Sequence, residues 1–194
     1  MMSISEPFRA WEMALQSDKA DMLELSKSQF KEAAQAFFNL ANRVSAGRAL
    51  FEHSTLMDAF SSVQEARILR LESRYDDSME AFSKASEILR ATMHFGFLSG
   101  YVSGLASLET SLELEPCEDS FQGLKNAIAL FEQSKLTLSF RDDKHPLLKM
   151  IDVLIAYSIS KAFLVESKIL ADSGNETESR KKITQSEAVR GNTF

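Results

Sequence analysis

Residues 65–89 read EARILRLESRYDDSMEAFSKASEIL, two amphipathic segments joined by a short polar turn. Ala66 and Leu69 lie on the first segment, and Tyr75, Ser78, Phe82 and Ala85 on the second. Small residues at these offsets let two antiparallel helices approach closely, and the large ones fill the groove between them. Asp77 stands where it can cap the second helix, and Glu80 three residues on completes a capping-box pattern. A helix hairpin is therefore expected here, with Ala66 and Ala85 buried where its helices touch.

The same small–x3–Phe–x2–small spacing recurs on either side. AQAFFNLA carries it as Ala34, Phe38 and Ala41, SMEAFSKA as Ser78, Phe82 and Ala85, and AIALFEQS as Ala127, Phe131 and Ser134. This recurring hairpin resembles the tetratricopeptide repeat. The match is fullest over residues 60–90, partial for the other two copies, and covers about half the chain. The copies start 44 and 49 residues apart. The family's period is about 34, so these units need longer helices or loops. The resemblance implies an all-α, right-handed array of stacked antiparallel hairpins, about seven or eight helices with a long C-terminal capping helix. Residues 1–174 would form one domain, and residues 175–194 a polar tail or short helix.

Composition agrees with helix. Hydrophobic residues make up 44% and charged residues 26% of 194, with only seven Gly and three Pro. The segments run from Pro7 to Leu25, Ser26 to Val44, Arg48 to Arg74, and on to Met93. Those that follow are Phe95 to Leu114, Ser120 to Leu138 and Pro146 to Leu170. Ser45-Ala46-Gly47 and the polar run Ser139 to His145 are the expected breaks. Pro116 and Gly174 are natural stops. Asn175 with Glu178 offers a start for a weakly amphipathic eighth helix over residues 176–190.

The net charge of −6 disfavours nucleic acid, whose phosphates are bound by Lys and Arg. The most apolar run, residues 150–165, is interrupted by Asp152 and Lys161. It falls short of the roughly 20 apolar residues that span a bilayer. The N-terminus lacks the basic start and apolar core of a signal peptide. Cys117 is the only cysteine, so no internal disulfide forms. That usage suits a reducing, cytoplasmic setting.

Arg67, Arg70 and Arg74 share one helical stripe. By the resemblance, Arg67 and Arg70 fall on the helix face that lines the concave groove of a repeat array. Guanidinium groups there can grip a carboxylate, either a peptide C-terminus or an acidic side chain. Phe60 and Val63 extend the stripe and would meet an apolar side chain of the same partner. The competing reading is a solvated face paired with Glu65, Glu72 and Asp76.

Catalytic and metal signatures are weak. His53, His94 and His145 lie far apart and form no HExxH or ExxH pattern, so no metal or cofactor is expected. Glu109, Glu113 and Glu115 near a helix end are expected to be solvated, and Glu115, Glu118 and Asp119 disfavour an activated thiol at Cys117. The expected function is a non-catalytic interaction scaffold for a protein or peptide. The alternatives are a helical-bundle enzyme or small-ligand binder with a pocket of Phe95, Phe97 and Tyr101, and a structural subunit whose partner is itself. The segment 146–170 is apolar on several sides and must be covered on several sides. A homodimer through it is therefore expected.

Overall fold

The computed structural model describes residues 5–44, 47–141 and 146–193. Among them are eight helices and no strand: α1 (Ser5–Lys19), α2 (Leu23–Ala41), α3 (Gly47–Leu71), α4 (Tyr75–Arg90), α5 (Leu98–Glu113), α6 (Glu118–Ser139), α7 (Pro146–Asp172) and α8 (Glu176–Thr193). Consecutive helices pack against each other, as an all-α stacked array requires. Contacts group into two units, residues 1–102 and 103–194, with the boundary inside α5.

Three hairpins turn in the same way. Asp21, Ser73 and Gly174 adopt left-handed backbone with φ of 55°, 60° and 83°. In each turn the next amide reaches back five residues: Met22 to Ser17 O, Arg74 to Leu69 O, and Asn175 to Leu170 O, at 2.8–2.9 Å. The left-handed residue's own amide bonds three residues back, giving the Schellman arrangement that satisfies a helix C-terminus. Only one of the three positions is Gly. The first turn therefore falls at Asp21, and α1 ends at Lys19 rather than near Leu25.

Other boundaries also move. Arg74, not Asp77, precedes α4 as its N-cap residue, and it makes no side-chain cap bond. Asp77 lies inside the first turn and binds Arg74 instead, so the expected capping box with Glu80 does not form. Cys117 is the N-cap residue of α6, its amide donating to Ser120 Oγ at 2.9 Å. The break at Ser45-Ala46-Gly47 falls between α2 and α3, with Ser45 and Ala46 outside the described residues. Residues 142–145 of the second expected break, His145 included, also lie outside them.

Rows of small residues, seven apart, line the helix contacts of residues 1–102. Ser26 Oγ donates to Ala14 O across α1 and α2 at 3.1 Å, and Ser78 Oγ donates to Ala66 O across α3 and α4 at 2.8 Å. Seven residues farther from those turns, Pro7, Ala33, Ala59 and Ala85 are all buried. Between α2 and α3, Ser54 Oγ donates to Ala34 O at 2.9 Å and Ser61 Oγ to Lys27 O at 3.2 Å. Phe30, Phe37, Met57, Phe82 and Leu89 fill the core beside these seams.

This register corrects the first repeat. Its small–Phe–small triple is Ser26, Phe30 and Ala33, not Ala34, Phe38 and Ala41. Phe30 is 1% exposed and Phe38 is 47% exposed. Ala34 is buried through its contact with α3, on the other side of α2.

In residues 103–194, Phe131 of α6 packs over Gly104 of α5, and Gly123 of α6 meets Ser111 of α5. Leu124, Phe131, Leu138 and Ile151 are fully buried. The helix α7 does not close the chain alone, because α8 folds back on it as a further hairpin. That seam is polar: Ser167 and Ser179 are 3.0 Å apart, Ser160 and Ser186 2.8 Å apart, and all four are buried. No helix among the described residues is long and apolar enough to cross a membrane.

Candidate functional site

The arginine stripe of α3 is largely engaged from within. Arg67 Nη1 donates to Asp18 Oδ1 at 2.6 Å and to Gln64 Oε1 at 3.0 Å, while Nη2 reaches Asp21 Oδ1 at 3.1 Å. The first hairpin turn thus supplies the carboxylates expected of a partner. A partner's carboxylate must displace Asp18 to reach this guanidinium. Tyr101 of α5 lies within the same electrostatic neighbourhood. Its phenol is pushed up to about 12, by burial first, with Asp18 adding to the rise and Arg67 opposing it.

The remaining stripe residues separate. Arg70 is half-buried. Arg74 is exposed and pairs with Asp77 at 2.7 Å and with Glu72 at 3.5 Å, which raises its pKa, the Asp77 hydrogen bond acting first. Phe60 is half-buried and stacks on Phe30 at 5.5 Å. Val63 is 6% exposed and belongs to the core. These five side chains therefore do not present one continuous surface.

Of the aromatics expected to line a small-ligand pocket, Phe95 belongs to a ring cluster. Phe95 packs edge-on to His53 at 5.1 Å, and His53 is also ringed by Phe8, Trp11 and Phe37. His53 is thus a half-buried member of an aromatic cluster, with Nδ1 2.8 Å from Ala49 O. His94 instead clamps Glu52, through its amide at 2.9 Å and its ring Nδ1 at 2.7 Å. The amide bond is the main cause of the lowered Glu52 pKa. Among the described residues no group of three His, Cys, Asp or Glu is placed to hold a metal ion.

The surface feature missed in the sequence is an open cleft of about 530 Å³ beside the first two hairpin turns. Met22, Leu25, Ile68 and Leu71 give it an apolar lining, and Asp21, Glu24 and Glu72 stand around it. Leu71 is 77% exposed, Met22 51% and Leu25 43%. Isolated exposed aliphatics are ordinary, but several converging on one concavity mark an interaction site. The signal is hidden because residues 21–25 read as the end of one helix, Pro7 to Leu25, until the turn at Asp21 is placed. A second cleft of about 360 Å³ lies between α2 and α3, where burial raises the pKa of Asp58.

The chain matches no protein-family model, no curated protein and no solved structure at significance.

Proposed function

We propose that this protein is a non-catalytic interaction module, a tetratricopeptide-like array of helix hairpins that holds a partner protein or peptide on its surface. The observation that carries this reading is the apolar cleft at the hairpin turns, where Met22, Leu25 and Leu71 are held open to solvent. The repeated hairpin geometry supports the array reading. Three of the turns use a left-handed residue, and the helix pairs they join meet through small residues seven apart. The arginine stripe contributes less, because Arg67 already holds Asp18 and Asp21. The lone exposed Cys117 supports a cytoplasmic setting.

A second reading, self-association through α7, is favoured by the exposure of Met150 and Val153 and the partial exposure of Leu154, Ile155 and Tyr157.

The test is capture from a cell extract by the immobilised chain, alongside its Met22→Ser/Leu71→Ser variant. The expected result is a stoichiometric protein retained by the parent and lost by a variant with unchanged circular dichroism. Substrate turnover by the purified chain, with no protein retained, would overturn the reading.

A further inference from the structure

The charge around the cleft specifies its occupant more closely than the lining does. Three carboxylate residues are part of its lining, on the α1–α2 turn, the first turn of α2 and just past the end of α3. Arg67 reaches Asp21 and Arg74 reaches Glu72. Glu24 adds a further negative charge, and the whole chain carries −6. The concavity is therefore lined by aliphatic side chains interleaved with carboxylates, of which Glu24 adds its charge beside the two that arginines already reach. Its volume falls within the roughly 300–1,000 Å³ of ligand-holding clefts. Resting on the interaction-module reading, we propose that the cleft between Met22, Leu25, Ile68 and Leu71 docks a basic amphipathic segment of another protein. Its aliphatic side chains enter the cleft, and its Lys or Arg residues meet Glu24 and Glu72.

Other occupants fit less well. Nucleic acid and anionic membranes carry the same sign as these carboxylates and as the chain's net charge of −6, and are disfavoured by it. A second copy seated face to face by two-fold symmetry would bring the same set of carboxylates, Asp21, Glu24 and Glu72, from both copies into one interface. Flanking basic residues provide the complementary potential, which favours encounter and disfavours acidic competitors.

The probes are two labelled amphipathic helical peptides, one of Leu and Lys, the other its Leu and Glu twin, titrated by fluorescence anisotropy into the full chain. Methyl NMR of Met22, Leu25, Ile68 and Leu71 reports the site. The Leu–Lys peptide should bind and shift these methyls, and its affinity should fall with added salt. Met22→Ser/Leu71→Ser should weaken it by about tenfold or more, the loss expected for aliphatic contacts. Glu24→Lys/Glu72→Lys should reverse the preference and admit the Leu–Glu twin. These positions are exposed, so both variants should keep the parental circular dichroism. Equal binding of the two peptides by the parent chain overturns the basic-partner assignment and leaves the interaction module standing. Leu–Lys binding that moves none of the four methyls, or survives Met22→Ser/Leu71→Ser unchanged, overturns the site itself.

Discussion

Gly104 offers the sharpest test of the packing. A Cβ built on it meets Phe131 Cε1 at 2.7 Å, Cδ1 at 2.8 Å and Cζ at 3.2 Å. Phe131 is fully buried, so the ring cannot swing into solvent to make room. Two effects oppose each other in Gly104→Ala. Helix propensity favours Ala by about 1 kcal/mol in the middle of α5. Overpacking a close-packed contact costs about 1–3 kcal/mol. The clash engages one whole edge of a trapped ring, so the upper half of that range applies, and the net effect is destabilisation by about 1–2 kcal/mol. For a chain of this length, each kcal/mol lowers the melting temperature by about 2–4 °C. Calorimetry of Gly104→Ala, Phe131→Leu and the double variant measures the coupling directly. Phe131→Leu should cost less when combined with Gly104→Ala than in the parent, by about 1 kcal/mol or more. A melting temperature for Gly104→Ala at or above the parent's would refute the argument. So would strict additivity of the two changes.

Three further outcomes are expected. Gly123→Ala drives a Cβ into Ser111 Oγ, whose hydroxyl is tied to Ser107 O at 2.6 Å; it should destabilise the fold, and Ser111→Ala should restore most of the loss in thermal melts. Tyr101 is raised on folding, so its contribution is fully present below the unfolded value of 10 and is lost as pH rises through its folded value of about 12; ultraviolet titration should show one late phenol, absent in Tyr101→Phe, and stability should decline over that window. Sedimentation at micromolar concentration should show a dimer that Met150→Lys/Val153→Lys dissociates, and a strictly monomeric parent would remove the α7 reading.

The central hairpin is legible in the sequence because its residues leave one option. Ser78, Phe82 and Ala85 face Ala66 and the core, as their spacing indicates, and all four are buried. The first hairpin is not legible, because α2 carries two overlapping copies of the same pattern. Ser26, Phe30 and Ala33 face one way, and Ala34 and Ala41 face α3; only the turn decides which copy meets α1. That turn uses Asp21 in a left-handed conformation, where no Gly announces it. Arg67 and Arg70 are legible as a row on α3, whereas Arg74 lies past its end, in the turn before α4. The partners of Arg67 are not legible, since Asp18 and Asp21 lie 49 and 46 positions from it. The cleft needs both turns placed in space, which periodicity along one helix does not supply.

The serine seam of the last hairpin bears on how the chain opens. Where α4 sends Phe82 and Leu89 inward, α8 buries only Ser179 and Ser186 among its described side chains, and Ile183 is exposed. Lys182 to Glu166 and Arg190 to Ser160 add polar fastenings. Hydroxyl and ionic links hold geometry well but withdraw little apolar surface from water, and it is apolar burial that sets the cost of local opening. Amide hydrogens of α8 should therefore exchange with deuterium far sooner than those of α2 or α4, as one cooperative segment hinged at Gly174. A protease acting on the native protein would cut there first. It would release a hydrophilic peptide and leave Ser160 and Ser167 of α7 open to solvent.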